Sequence, residues 1–237
     1  MALERVDFGG LLPGRGKAKV VEQKRQGEHA VTVRINKRRM ASIAAAADVV
    51  RHIPAEGEAF HGLMTGYYDL MHLLIALLAR LASPCLHLRI STLCLSARNV
   101  QELATLLDTD AVRTASLLVS GFFRRQEKEI FAELLLEMNT RNAPIGAAPC
   151  HAKIITLHLE DGRKFTLEGS ANLRTNRSIE QFTLIHHAGL HDHYAAWIDD
   201  MVGKHRITDM SQASTASPGD PGDEDDGAEE TGEEASE

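Results

Sequence analysis

One segment, residues 151–180, constrains the fold and the chemistry of this chain more than any other. His151 and Lys153 lie two residues apart at the start of an apolar run, so on a strand both side chains would point to the same face. Asp161-Gly162 is typical of a tight turn between antiparallel strands. The second strand would end at Gly-Ser-Ala-Asn, residues 169–172, and bring these residues back beside His151. The segment therefore predicts a hairpin that gathers polar side chains at one end.

This pattern resembles the signature of the phospholipase D superfamily, which is H-x-K followed by G-S-x-N and a later Glu or Asn. The matching residues here are His151, Lys153, Gly169, Ser170, Asn172 and Glu180. The motif covers residues 151–180, and the resemblance in fold extends over roughly residues 57–204. It implies an α/β fold in which a mixed β-sheet is flanked by helices, an α-β-α sandwich.

The resemblance implies a phosphodiesterase site that uses neither a metal nor a cofactor. Lys153 would neutralise the phosphate, and Ser170 and Asn172 would donate hydrogen bonds to its non-bridging oxygens. The imidazole of His151 would attack phosphorus to form a phosphohistidine, while a second imidazole would protonate the leaving oxygen. Glu180 would hold an imidazole N–H and raise the basicity of that ring.

The chain contains one copy of this motif, whereas the chemistry needs two histidines. Single-copy members of the superfamily complete their site by pairing two identical chains. The resemblance therefore implies a homodimer in which His151 of each copy faces the other across a two-fold axis. Two other interpretations stay open: an ordinary half-buried strand histidine, and a phospholipase D-like fold with an inactive site.

The sequence departs from the family pattern within the hairpin. His158 stands five residues after Lys153, where the family has Asp, and the hairpin before Gly169 is longer than usual. In the family this Asp is more structural than chemical. We therefore expect the departure to alter local geometry more than the reaction, and the sequence leaves open whether the site is active.

Charge is distributed unevenly along the chain. The net charge is -7 at pH 7, but residues 218–237 contain ten acidic and no basic residues, so the rest of the chain has a net charge of +3. Residues 1–53 read as a basic N-terminal extension. Residues 205–237 read as an acidic tail that we expect to be disordered, because it has too few apolar side chains to fold. The tail is either solubilising or a competitor for a basic cleft.

Between these extensions, residues 54–204 alternate between strand and helix patterns, which predicts one catalytic domain. Besides the hairpin, strands are predicted at residues 58–64, 86–95, 115–120 and 181–187. Helices are predicted at residues 66–81, 100–107, from 121 to about 139, and 191–202, with a further helix-prone stretch at 40–50.

A histidine-rich stretch near the C-terminus raises a metal-binding alternative. It contains His186, His187, His191, Asp192 and His193. We expect Gly189 to interrupt any helix that would align His187 with His191, and strand alternation would separate His186 from His187. A structural or surface role is therefore favoured over a metal site.

The resemblance, together with the basic N-terminal extension, favours a metal-independent, DNA-directed nuclease that acts as a homodimer. The N-terminus lacks the charge and apolar pattern of a secretion signal, so a cytoplasmic location is expected, with Cys85, Cys94 and Cys150 as reduced, buried thiols. No apolar segment suggests contact with a membrane. The alternatives are an inactive nucleic-acid-binding protein of the same fold and a phospholipase D-type lipid hydrolase.

Overall fold

A computed structural model of the chain describes residues 20–22, 31–33, 37–64, 66, 68–174 and 178–210. Most of the basic N-terminal extension and the acidic tail from residue 211 onward lie outside the described residues. What the sequence predicts for those segments stays a prediction.

The described residues form an α/β domain with two short N-terminal strands. The strands are β1 (Val20–Glu22), β2 (Val31–Val33), β3 (Ala59–Met64), β4 (Cys85–Thr92), β5 (Val112–Ser120), β6 (Ile145–Ala148), β7 (Ile154–Leu159), β8 (Lys164–Gly169), β9 (Glu180–His186) and β10 (Arg206–Ile207). The helices are α1 (Lys37–Val49), α2 (Leu70–Leu81), α3 (Ala97–Asp108), α4 (Gly121–Gln126), α5 (Lys128–Asn139) and α6 (Ala188–Lys204).

Eight strands form one mixed sheet in the order β10-β6-β5-β4-β7-β8-β9-β3. The pairs β4–β5 and β5–β6 are parallel. The other neighbouring strands are antiparallel, including the predicted hairpin β7–β8, in which Ile155 lies opposite Leu167. The predicted mixed α/β architecture is confirmed.

Helices cover both faces of this sheet. On β5, Leu117 and Val119 belong to the larger apolar core, whereas Leu118 belongs to a second core with Ile198 and Val202 of α6. Because successive strand residues point to opposite faces, the two cores lie on opposite sides of the sheet. The layers are those of an α-β-α sandwich.

Helix α2 leads from the end of β3 into the larger core. Its N-cap, Asp69, accepts a hydrogen bond from the N–H of His72, and His72 Nδ1 accepts one from the N–H of Asp69, which together form a capping box. Most of the helix is buried because it is apolar around nearly its whole circumference. Even so, no helix among the described residues is long and apolar enough to cross a bilayer.

Three features differ from the predicted elements. Strand β6 was not predicted, because its sequence Ile-Gly-Ala-Ala shows no strand alternation. A Cβ at Gly146 would lie 2.8 Å from Val202 Cα, so the glycine permits α6 to pack against this strand.

The helix predicted up to residue 139 is two helices that meet at Glu127. Gly189 does not interrupt a helix, since α6 begins at Ala188 and runs through it.

The ordered domain also extends beyond residues 54–204. Ile43, Ala46 and Val50, in α1 and just after it, are buried in the larger core. At the other end, Arg206 and Ile207 pair with β6 as the edge strand β10. Parts of both predicted extensions therefore belong to the folded body.

Candidate active site

The sequence-predicted site residues all lie at one edge of the sheet. Strands β3, β4, β5, β6 and β8 end at this edge, and β7 and β9 begin there, as their parallel and antiparallel pairings require. His151 and Lys153 precede β7, Ser170 and Asn172 follow β8, and Glu180 opens β9. The fold thus brings together residues that are up to 29 positions apart.

His151 and Lys153 contact each other directly. The ammonium of Lys153 lies 2.8 Å from Nδ1 and 3.2 Å from Nε2 of His151, and it donates to the His151 carbonyl oxygen at 2.8 Å. The two residues precede the first strand residue, Ile154, instead of lying on the strand as predicted. Their side chains nevertheless meet. His151 is exposed, whereas Lys153 is only 8% exposed.

Burial lowers the pKa of Lys153 below the ordinary lysine value, because the charged ammonium loses solvation. The negative charge of Glu180 acts in the opposite direction. The result is a desolvated cation beside an exposed imidazole. Such a cation interacts more strongly with an incoming anion than one in bulk water.

Hydrogen bonds hold the His-Ala-Lys segment from both sides. Ser91 of β4 donates to the carbonyl oxygen of Ala152 at 3.1 Å, and its Oγ lies 3.3 Å from Sγ of Cys150. The N–H of Gly169 donates to the carbonyl oxygen of Lys153 at 3.2 Å. Ser91 was not singled out from the sequence, since a serine near a strand end carries no signal of its own.

Gly169 is required by the approach of β9. A Cβ at this position would lie 2.2 Å from the carbonyl oxygen of Gln181, so any larger residue would push the two strands apart. This contact explains the glycine of the G-S-x-N sequence. It keeps Ser170 within reach of β9.

Ser170 and Glu180 form a hydrogen-bonded pair. The Ser170 hydroxyl donates to Oε2 of Glu180 and accepts from the N–H of Gln181 at 3.0 Å, while the N–H of Ser170 donates to the Gln181 carbonyl at 3.1 Å. Glu180 was predicted to hold an imidazole N–H. In the structure its described partner is the hydroxyl, so it orients Ser170.

Asn172 is oriented by the backbone of the loop after β4. Its Oδ1 accepts a hydrogen bond from the N–H of Leu93 at 3.2 Å. Because the carbonyl end of the amide is used in this way, the NH₂ end is the one left to donate to a ligand. The neighbouring Leu173 pairs with Leu95, which ties the two loops together.

A shallow surface cleft lies beside Asn172 and Glu180. Its walls include Tyr68 and Asp69 from the loop before α2, together with Arg174. His151 and Lys153 do not line this cleft. The cleft therefore adjoins the candidate site on its β9 side.

Arg174 is a site-edge residue that the motif did not indicate. Its guanidinium donates to Glu127 at 3.0 Å and lies 3.8 Å from Sγ of Cys94. Its position two residues after Asn172 was the only signal in the sequence. It extends the positive charge of the site toward α4.

His158 lies at the other end of β7. It pairs across the strands with His87 and Lys164, and its ring lies 5.9 Å from that of His87 and 6.0 Å from that of His191. Five residues of strand separate it from Lys153 by about 16 Å. The residue that departs from the family pattern therefore lies beneath α6, away from Lys153.

The histidine-rich stretch does not gather around a common point. His187 is the N-cap of α6, His191 is buried beside Asp192, and His186 contacts Glu56 at 2.9 Å. Within the described residues, no group of three His, Cys, Asp or Glu side chains is arranged to hold a metal ion. The cysteines there are free, with Cys85 and Cys94 buried as expected and Cys150 only half-buried.

No protein-family model and no curated protein matches the sequence. Among solved structures, Nuc from Salmonella typhimurium, a phospholipase D family member, aligns over 64% of this chain and 99% of its own with 12% identity and a TM-score of 0.47. NucT from Helicobacter pylori aligns over 63% and 99% with 12% identity and a TM-score of 0.48. Phosphatidylserine synthase from Haemophilus influenzae Rd KW20 aligns over 65% and 40% with 14% identity and a TM-score of 0.47. TM-scores below 0.5 assign no function to this chain.

Proposed function

We propose that this chain is a metal-independent phosphodiesterase of the phospholipase D type that cleaves DNA through a phosphohistidine at His151. The observation that carries the proposal is the contact between an exposed imidazole and a buried ammonium, 2.8 Å apart, at the sheet edge shared with Asn172 and Ser170. A nucleophile, a cation and neutral donors around one point are what attack on a phosphodiester needs.

Each residue has a role in this mechanism. Lys153 neutralises the phosphate, while the NH₂ of Asn172 donates to a non-bridging oxygen. When substrate binds, the Ser170 hydroxyl turns from Glu180 and donates to another non-bridging oxygen. Burial lowers the pKa of Lys153, and the negative charge of Glu180 opposes this effect.

The reaction proceeds in two steps. An imidazole nitrogen of His151 attacks phosphorus and forms a P–N bond as the P–O bond to the leaving alcohol breaks, and a second, protonated imidazole gives its proton to the departing oxygen. The intermediate is a phosphoramidate that keeps the other ester group. Water then attacks phosphorus, the second imidazole takes the water proton, and the P–N bond breaks. His151 is regenerated and a phosphomonoester is released.

The second imidazole comes from a second copy of the chain in this proposal. Another histidine of the same chain, His72, lies three residues after the cleft residue Asp69. It is 3% exposed, and its ring nitrogens contact Asp69 and Arg98. It is therefore committed to the helix cap. His151 is exposed and accessible to its counterpart in an isologous dimer.

A nucleic-acid substrate is supported by charge. Residues 1–217 have a net charge of +3, and Arg174 adds a guanidinium next to the site. Phosphate contacts supply much of the affinity of nucleic-acid-binding proteins. DNA is therefore the substrate we propose.

The test is incubation of the purified full chain with single- and double-stranded DNA in EDTA. Cleavage by the wild type, its loss in His151→Ala, and its retention in His193→Ala are expected. His193 is an exposed histidine on α6 and serves as the matched control. DNA that is retained but not cut would favour an inactive binding protein, and head-group release from phospholipid vesicles without DNA cleavage would favour a lipid hydrolase. Either outcome would overturn the proposal.

A further inference from the structure

The end of β4 contacts both halves of the candidate site. Ser91 and Thr92 are the last two residues of this strand, and each is 1% exposed. Because successive strand residues point to opposite faces of a sheet, the two hydroxyl groups lie on opposite sides of β4. Each hydroxyl forms a hydrogen bond with the backbone of a segment that carries site residues.

Ser91 holds the His-Ala-Lys segment on the α6 side of the sheet. Its hydroxyl donates to the carbonyl oxygen of Ala152, which lies between His151 and Lys153. Cys150, whose sulfur lies 3.3 Å from the same hydroxyl, packs against the second core beneath α6. One buried hydroxyl therefore fixes the backbone that carries both the imidazole and the ammonium.

Thr92 holds the G-S-x-N loop on the opposite side. Its hydroxyl accepts a hydrogen bond from the N–H of Leu173 at 3.4 Å and donates to the carbonyl oxygen of Cys94 at 3.2 Å. Leu173 directly follows Asn172 and is buried in the larger core. The next residue after Thr92, Leu93, donates its N–H to Oδ1 of Asn172. The end of β4 therefore fixes both the backbone beside this asparagine and its side-chain amide.

In the proposed mechanism a phosphate must contact both halves of the site at once. Lys153 and Asn172 bind its oxygens while His151 attacks phosphorus, although Lys153 and Asn172 are 19 residues apart in the sequence. The hydrogen bond from Gly169 to Lys153 joins the two halves on the β8 side of β7, and β4 joins them on the other side. A displacement of about 1 Å at a reacting centre can lower a rate roughly a hundredfold. The spacing set by β4 therefore bears directly on turnover.

We propose that Ser91 and Thr92 are positioning residues, which keep Lys153 and Asn172 at the spacing that one phosphate fits. This inference rests on the proposed function, because it concerns the same site. The two hydroxyl groups act through the backbone of neighbouring residues, and the reacting groups stay those of His151 and the bound phosphate.

The first test compares Ser91→Ala with Ser83→Ala. Ser83 lies two residues before β4, is 7% exposed, and accepts a hydrogen bond from the N–H of Asp161 at 3.4 Å, so each variant loses one buried hydroxyl. Turnover of bis(4-nitrophenyl) phosphate is measured well below the melting temperature. In Ser91→Ala, kcat should fall about tenfold with little change in KM, because the loss falls on the transition state. Ser83→Ala should keep the wild-type kcat.

Two substitutions of Thr92 separate positioning from stability. Thr92→Val keeps the side-chain volume but loses the hydroxyl, so kcat should fall about tenfold. Thr92→Ser keeps the hydroxyl but loses a buried methyl group, so the melting temperature should fall while kcat stays near the wild-type value. Thr166→Val, at a buried threonine within β8, is the matched control and should also keep kcat.

Acetylation of Lys153 tests the same inference without turnover. Each full-length protein is treated briefly with acetic anhydride, and the acetylation of each lysine is measured by peptide mass spectrometry. Ser91→Ala should loosen the His-Ala-Lys segment and raise the acetylation of the buried Lys153 several-fold. Lys164, which contacts Asp192 at the other end of the hairpin, should be acetylated as in the wild type.

Three results would overturn the inference: an unchanged kcat in Ser91→Ala and Thr92→Val, an equal loss in Thr92→Ser and Thr92→Val, or an equal loss in Ser83→Ala and Ser91→Ala. A wild type that does not turn over the substrate would instead count against the proposed function. In that protein, unchanged acetylation of Lys153 in Ser91→Ala would overturn the inference, and raised acetylation would support it.

Discussion

The ammonium of Lys153 lies 2.8 Å from Nδ1 of His151, and the cation is buried while the imidazole is exposed. The same cation is desolvated and ready to attract a phosphate. The proposed function depends on this pair of side chains.

Lys153→Met should separate activity from stability. Methionine keeps most of the buried volume but removes the charge, so turnover of bis(4-nitrophenyl) phosphate should fall on the order of a hundredfold or more. The melting temperature should be unchanged or higher, because a desolvated charge is removed. Lys204→Met, at a lysine whose side chain is 64% exposed, is the control and should leave both quantities unchanged. A parallel loss of stability and activity would indicate a structural lysine.

The affinity for inorganic phosphate should fall as the pH rises. It should fall at a lower pH than it would if Lys153 had an ordinary lysine pKa. Burial lowers the pKa of Lys153 from the ordinary 10.5, so the ammonium is charged below the lowered pKa and loses its proton as the pH rises through it. The inhibition constant of inorganic phosphate, measured between pH 7 and 11, should therefore rise as Lys153 loses its proton. We call this rise the alkaline limb of the pH profile. Lys153→Arg should remove the limb, since arginine does not titrate in this range. An unchanged limb in this variant would assign it to another group.

Glu180→Gln should move the same limb further down in pH. Burial lowers the pKa of Lys153, and the negative charge of Glu180 partly offsets this effect. Removing that charge should therefore lower the pKa of Lys153 further. Ser170→Ala is the matched variant, because it removes the hydrogen bond to Glu180 but keeps the charge. Its limb should stay close to that of the wild type. If Ser170→Ala shifts the limb as far as Glu180→Gln, the effect comes from geometry and not from charge.

The strand pair and the position of the motif could be predicted from the sequence because they depend on local signals. The Asp161-Gly162 turn and the apolar runs around it set the register that brings Gly169 beside Lys153. Strand β6 could not be predicted, since Gly146 is explained only by the approach of Val202 from α6. Such a contact is a property of the tertiary structure.

The contacts of the site residues could not be predicted from the local sequence either. The burial of Lys153 depends on strands that are distant in sequence, and the pairing of Glu180 with Ser170 depends on how β8 and β9 meet. Gly189 was expected to interrupt a helix. The helical propensity cost of one glycine is about 1 kcal/mol, which the packing of α6 through Ile198 offsets.

Acid should destabilise the fold through the histidines beneath α6. Burial lowers the pKa of His191, which is 2% exposed, and of His158. The unfolded chain then binds more protons than the folded chain, so stability is full above the unfolded value near 6.5 and falls as the pH drops toward the lowered pKa. Urea unfolding measures the free energy of unfolding at pH 7.5 and at pH 5.5. Between these two pH values, His191→Phe should lose less of this free energy than the wild type. His193→Phe, at an exposed position, should lose as much unfolding free energy as the wild type. An equal loss in the wild type and both variants would exclude His191 as the cause.

The most direct test of the central claim is to trap the covalent intermediate. The full chain is mixed with a short DNA oligonucleotide, quenched in alkali to preserve a P–N bond, digested and analysed by mass spectrometry. The account predicts a phosphoramidate adduct on the peptide that contains His151, absent from His151→Ala and present in His193→Ala. Rapid DNA cleavage with no adduct on His151 under the same quench, or cleavage undiminished in His151→Ala, would contradict it.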